Sequence, residues 1–139
     1  MGNVDKIVET WCAAWQVADE TERRRLLEAC WSQDGVYQDP INDASGREAV
    51  MELIADFHKR RPGVRFDIAS GVDHHHGKLY YLWKMFGADG QMLLEGFDYG
   101  ELDTEGRFRC IIGFFGSPPP VVARQLELRA LSSLSYPSQ

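Results

Sequence analysis

Apolar residues in the first part of the chain recur at spacings of three and four, which is the period of an amphipathic helix. The first such stretch has its apolar positions at Val4, Ile7, Val8, Trp11, Ala14, Trp15 and Ala18. A second stretch repeats the pattern at Leu26, Leu27, Cys30 and Trp31. A third has its apolar side at Val50, Leu53, Ile54 and Phe57. The pattern predicts three helices, the last of which ends at Pro62–Gly63.

After Pro62 the apolar residues alternate with polar ones or form short aromatic runs, and turn residues separate the runs. The predicted strands are "VRFDIASGVDHH", "KLYYLWKMF", "QMLLEGFDYGEL" and "RFRCIIGFFG". Before the third helix, "VYQDP" predicts a short extended segment and "INDAS" a loop. This order predicts an α+β domain, in which a curved antiparallel sheet carries the three helices over its concave face.

The domain is predicted to cover residues 1–117, and residues 118–139 form a tail that begins with three prolines. The tail contains either a short helix over residues 121–131 or a loose segment. At 139 residues the chain is long enough for one such domain.

Charge and composition mainly exclude certain partners and locations. The net charge is −6, which argues against a nucleic-acid partner. No apolar run suggests a membrane span, and the N-terminus lacks a signal pattern. The three cysteines, Cys12, Cys30 and Cys110, show no Cys-x-x-Cys spacing and indicate reduced thiols. We therefore expect a cytoplasmic protein with no membrane and no nucleic-acid partner.

A curved sheet with helices over one face leaves a concave pocket, which is a natural ligand site. In "VYQDP", Tyr37 and Asp39 are two residues apart, so on a strand they share one face. Pro40 favours an extended backbone at Asp39. The alternative is that Asp39 merely opens a loop before the proline.

A second acidic candidate, Asp98, lies in the middle of the strand "EGFDYGEL". A carboxylate there is disfavoured unless it is exposed or functional. Gly96 and Gly100 share its face and leave space around it. The pattern indicates a side chain that points into the pocket, the alternative being a position on the solvent face.

Three of the four histidines stand together as "HHH" at His74 to His76. On a strand His75 points away from its two neighbours, and Gly77 indicates a turn. A metal site would need a third donor, which no obvious spacing supplies, so we expect no metal. We predict that His75 points towards the pocket, opposite Tyr81 and Trp83; the alternative is a solvated hairpin tip.

The order and spacing of "CWSQDGVYQDP", "SGREAV", "GFDYGELDTEGRF" and "GFFG" resemble the SnoaL-like and ketosteroid-isomerase-like branch of the nuclear-transport-factor-2-like superfamily. The resemblance covers residues 3–117. It implies a cone-shaped α+β fold with a deep pocket, catalysis without a cofactor, and a homodimer formed through the outer face of the sheet.

The resemblance also implies roles for single residues. Asp39 matches the general base that removes a proton from the carbon next to a ketone. Asp98 matches the protonated acid that donates a hydrogen bond to the enolate oxygen. The family's tyrosine on the first helix is replaced here by Trp15, and Phe115 falls on a pocket-lining aromatic position. In relatives that dehydrate or cyclise, a histidine works with an aspartate, so His75 with Asp39 is a second candidate pair.

An aromatic-rich pocket implies an apolar cyclic ligand that carries a carbonyl or hydroxyl group. The predicted ligand-binding residues are Trp15, Tyr37, Phe57, Trp83 and Phe115. The leading hypothesis is a cofactor-free isomerase or cyclase acting next to a carbonyl of a polyketide- or steroid-like substrate. The alternatives are a dehydratase with a His/Asp pair, a binding module without turnover, and a dimeric interaction protein whose pocket is vestigial.

Overall fold

A computed structural model describes residues 3–122 and 129–130 of the chain. Its three longer helices, α1 to α3, span Asn3–Gln16, Glu20–Cys30 and Arg47–Arg60. The strands β1 to β7 span Trp31–Asp39, Asn42–Ser45, Arg65–Ile68, Asp73–His75, Lys78–Phe86, Met92–Leu102 and Phe108–Phe115. The predicted α+β class, with three helices on a curved sheet, is confirmed. In this part of the chain, no helix combines the length and apolar character needed to cross a bilayer.

The described strands form one open sheet in the order β2-β1-β7-β6-β5-β3, and β4 also pairs with β5. The pairing of β1 with β7 is parallel, whereas every other neighbouring pair is antiparallel. The parallel pair brings the first strand next to the last one. Side chains from opposite ends of the domain therefore share one face of the sheet.

The core lies between the helices and the inner face of the sheet. The helices bury Val8, Trp11, Ala14, Leu27, Cys30, Val50, Met51 and Ile54. These pack against buried sheet residues that include Trp31, Leu79, Tyr81, Phe108 and Ile111. Each fully buried large apolar side chain contributes about 1.5–3 kcal/mol. This packing fixes the helices over the sheet and leaves the space described below.

Three parts of the fold differ from the sequence-based expectation. Trp31 was predicted on the second helix but begins β1, because its ring stacks on Trp11 and its indole N–H donates to the Gly35 carbonyl at 3.1 Å. The segment "INDAS" was predicted as a loop, yet Asn42–Ser45 pairs with β1 as a strand. The predicted strand "VRFDIASGVDHH" is divided into β3 and β4, which pair with different parts of β5.

Little of the predicted C-terminal tail can be compared with the structure. Residues 118–122 have no regular secondary structure and residues 129–130 are helical. The rest of the helix predicted over 121–131 lies outside the described residues. The division into a domain over residues 1–117 and a tail stays a prediction.

Candidate functional site

A cavity of about 210 Å³ lies between the inner face of the sheet and the helices α1 and α3. Its buried wall contains aromatic rings from α1, β1 and β5. Its exposed lining residues, Ile41, Arg60 and Arg61, mark the opening. The predicted ligand-binding residues all line it, namely Trp15, Tyr37, Phe57, Trp83 and Phe115. Asp39 and Asp98 also line this same cavity.

The sheet register brings the two carboxylates together. Asp98 on β6 is the direct partner of Gly113 on β7, and Gln38↔Ile112 in the parallel pair places Asp39 beside that glycine. A Cβ atom on Gly113 would lie 2.9 Å from Asp98 Oδ1 and 3.5 Å from the Cβ of Asp39. The missing side chain therefore leaves the space that both carboxylates share.

Substitution of this glycine tests that role. In Gly113→Ala the new methyl group would crowd the Asp98 carboxylate, and such overpacking costs about 1–3 kcal/mol. Urea unfolding should show this loss. Gly71→Ala is the matched control, because a Cβ at Gly71 has nothing within 4 Å. Equal stability of the two variants would show that Gly113 leaves no shared space.

Hydrogen bonds hold Asp39 in one orientation. Its Oδ2 accepts from the Tyr37 hydroxyl at 2.6 Å, and its Oδ1 accepts from the Ile41 backbone N–H at 2.9 Å. Asn42 Nδ2 donates to both oxygens at 3.1 Å. The bond to Ile41 is an Asx turn, in which an aspartate side chain accepts from the backbone N–H two residues further on. Asp39 thus opens a turn and also lines the cavity, so the two readings of "QDP" are compatible.

Asp98 lies deeper and is only 8% exposed. Tyr81 donates its hydroxyl to Oδ2 at 2.8 Å, and the indole Nε1 of Trp83 donates to Oδ1 at 3.0 Å. Burial raises the pKa of Asp98 to about 6, although hydrogen bonds from Tyr81, Trp83 and Trp11 oppose the rise and the Asp39 charge adds to it. Its protonated form is therefore accessible near neutral pH.

The neighbouring hydroxyl and thiol groups keep their protons. Burial, followed by the charge of Asp98, raises the pKa of both Tyr37 and Tyr81 far above the usual range. The same two causes, in the same order, raise the pKa of the Cys12 thiol to about 12. The tyrosines therefore act as hydrogen-bond donors, and Cys12 is not a thiolate nucleophile at neutral pH.

The prediction that His75 faces the pocket is wrong. His75 is exposed, pairs with Lys78 at the start of β5, and contacts the His76 ring, with 3.0 Å between their Nδ1 atoms. The turn at His76 and Gly77, both with positive φ, ends β4, and all three residues of β4 are exposed. The pair of His75 with Asp39 is not formed. Within the described residues, no group of three His, Cys, Asp or Glu side chains could hold a metal ion.

The sequence reading missed the partners that orient the two carboxylates. The sequence indicates Trp83 as a ligand-binding residue and Tyr81 only as a neighbour of His75, but neither as a partner of Asp98. Both residues nevertheless lie on the inner face of β5, and their polar tips point to Asp98. The alternation in "KLYYLWKMF" was an available signal. Asn42 was missed because its segment was predicted as a loop.

Comparison with known proteins identifies the class of this fold. No protein-family model matches the chain, and no curated protein matches it. Among solved structures, a proposed isomerase of the SnoaL-like family from Agrobacterium tumefaciens strain C58 is 30% identical, with a TM-score of 0.80 over 84% of this chain and 100% of that one.

Two more distant structures share the fold alone. A proposed polyketide cyclase from Sinorhizobium meliloti is 15% identical, with a TM-score of 0.63 over 81% of this chain and 99% of that one. A nuclear-transport-factor-2-like (NTF2-like) protein of unknown function from Cytophaga hutchinsonii is 9% identical, with a TM-score of 0.62 over 84% and 91% of the two chains. The architecture is thus that of the NTF2-like superfamily. Within it, the chain belongs to the SnoaL-like family, as its sequence motifs predicted.

Proposed function

We propose that this protein is a cofactor-free enzyme that moves a proton on the carbon next to a carbonyl group. The substrate is an apolar cyclic ketone of the polyketide or steroid type, and the outcome is isomerisation or cyclisation. One observation carries the proposal: Asp39 and Asp98 line a single aromatic cavity in two different environments. Pairs of acids whose surroundings differ in this way are suited to separate acid and base roles; ketosteroid isomerase is the standard example of this pattern.

Asp39 is the proposed general base. A carboxylate has about four lone-pair sites and no proton to donate. Tyr37, Ile41 and Asn42 hold it against the cavity, so it can take a proton from the carbon beside the substrate carbonyl. The C–H electrons move into an enolate, and the proton returns to another carbon in an isomerisation.

The enolate oxygen needs a hydrogen-bond donor. Protonated Asp98 can donate through its carboxyl O–H while Tyr81 and Trp83 still donate to its carboxyl oxygens. Trp15 also lines the cavity, and within residues 3–122 its indole N–H has no hydrogen-bond partner, so a substrate oxygen can accept from it. Tyr37 is less suited to this role because its hydroxyl already donates to Asp39.

The cavity wall favours a flat ring. Trp15 meets Phe57 and Phe66 edge-on, with ring centroids 5.5 and 5.7 Å apart, and Trp83 meets Phe115 at 6.0 Å. Aromatic rings held in this way offer faces and edges to a planar ligand. The walls therefore support a cyclic substrate rather than a flexible chain.

Exchange of the protons next to a ketone tests the proposal directly. We expect the protein to accelerate deuterium incorporation into 2-tetralone in deuterium oxide, measured by NMR, over the rate in buffer. Because the donor form of Asp98 is lost as pH rises through about 6, the catalysed rate should fall above that pH. A rate equal to that of buffer at every pH would contradict an enzymatic role.

A binding module without turnover is the second candidate. The observation that favours it is the crowding of Asp39, whose two oxygens already accept hydrogen bonds from three donors. These hydrogen bonds occupy the lone pairs with which a general base would take a proton from carbon. Tight binding of 2-naphthol, which has the shape of the tetralone enolate, without any proton exchange would point to this second function.

The homodimer and the cytoplasmic location remain proposals. The outer face of the sheet supports the dimer, because Tyr80, Leu82 and Phe114 are each exposed there by nearly half. Phe97 stacks on Phe114 on the same face, with ring centroids 5.0 Å apart. These residues are neighbours across β5, β6 and β7, so they form one continuous apolar surface.

A further inference from the structure

The opening of the cavity carries a positive charge. Arg60 and Arg61 are exposed at the end of α3, and they are the only cationic side chains among the described residues of the cavity wall. The carboxylates of Asp39 and Asp98 lie on the sheet side of the same cavity. The cavity wall thus carries both charges, and aromatic rings make up most of the rest of the wall.

The two arginines have different surroundings. Arg60 Nε donates to Asp56 Oδ2 at 2.8 Å, one helical turn earlier, so a carboxylate already neutralises its charge. The guanidinium of Arg61 has no ion-pair or hydrogen-bond partner among residues 3–122 and 129–130. Its backbone N–H donates to the Phe57 carbonyl at 2.9 Å, which anchors Arg61 at the opening.

A guanidinium offers five donors in a planar fork that matches a carboxylate. An unpaired one at the mouth of an apolar cavity can hold the acidic end of a ligand whose ring lies inside. We propose that the substrate of this site carries a carboxylate, which Arg61 binds at the opening while its carbonyl lies near Asp39 and Asp98. The position of the carbonyl rests on the proposed function. The binding of the carboxylate by Arg61 does not depend on it. The other role for Arg61, interaction with the C-terminal end of the α3 dipole, requires no ligand.

Two ligands of equal shape and different charge separate these roles. Binding of 2-naphthaleneacetate and of 2-naphthaleneacetamide is measured by calorimetry at neutral pH and low salt. We expect the wild type to bind the acid about two- to fivefold more tightly than the amide, the upper part of the range for an exposed ion pair. Arg61→Gln should abolish this preference, and Arg61→Lys should retain part of it. Lys59→Gln, an exposed charge removed from the same helical turn but outside the cavity wall, should keep the wild-type preference.

Added salt provides a second readout, because screening should reduce the preference in the wild type and leave Arg61→Gln unchanged. The inference is overturned if the wild type binds acid and amide equally, if the preference survives in Arg61→Gln, or if neither ligand binds. The exchange assay with 2-tetralone, which is neutral, is independent of this result. If the protein preferred the acid but did not catalyse exchange of the ketone protons, only the proposed function would be contradicted. If it catalysed exchange but did not prefer the acid, only the anion site at Arg61 would be contradicted.

Discussion

Asp39→Asn is expected to slow the exchange of the 2-tetralone protons by a factor of about 10²–10⁴, the usual contribution of a positioned general base. An amide has almost the shape of the carboxylate, and its oxygen can still accept from the Ile41 N–H. It cannot take a proton from carbon at neutral pH. The loss should therefore appear in the catalytic rate constant, whereas the affinity for 2-naphthol should change little.

The matched control is Asp43→Asn. Asp43 is an exposed aspartate on β2 that accepts a hydrogen bond from Gln38 and lies outside the cavity wall. This variant should keep the wild-type exchange rate. If Asp39→Asn also kept that rate, another group would have to be the base.

The second large effect concerns stability, and it is expected at Asp98. Its pKa is about 6 in the folded protein and near 3.8 when the group is solvated. Between these values the folded state holds the proton more tightly, so the free energy of unfolding falls as pH rises through this window. The total loss is about 3 kcal/mol, complete above the folded pKa and absent below the unfolded one.

Urea unfolding of the wild type and of Asp98→Asn from about pH 4 to about pH 8 measures this effect. Carboxylates whose pKa is lowered, such as Glu101 and Asp103, act in the opposite direction but are common to both proteins. The difference between the two curves of unfolding free energy against pH therefore isolates the contribution of Asp98. As pH rises, the free energy of unfolding of Asp98→Asn should increase relative to that of the wild type. Asp43→Asn, at an exposed carboxyl, should give a change below about 1 kcal/mol. A flat difference curve for Asp98→Asn would mean that Asp98 keeps its solvated behaviour.

The parts of the site that follow from alternation along one strand could be predicted from the sequence. Tyr37 and Asp39 are two residues apart on β1, and both line the cavity. Asp98 lies on the buried side of β6 with Gly96 and Gly100. In each case a regular strand of nine or more residues fixes which side chains share a face.

The predictions that failed concern positions that depend on strand register and pairing. His75 belongs to a strand of three residues beside a turn, and a shift of one residue there moves every side chain to the other face. Residues Asn42–Ser45 carry few strand-forming side chains and become β2 because β1 pairs with them. The hydrogen bond of Tyr81 to Asp98 follows from the pairing of these two residues across β5 and β6, which the separate strands do not reveal.

The parallel pairing of β1 with β7 also has a kinetic consequence. The proposed base and acid meet only after the chain has closed a loop from the first strand to the last, which makes this one of the most non-local contacts in the domain. Closure over such a sequence separation is entropically costly and slow. Ligand-binding competence should therefore emerge late in refolding, after the local hairpins of β5, β6 and β7 have formed.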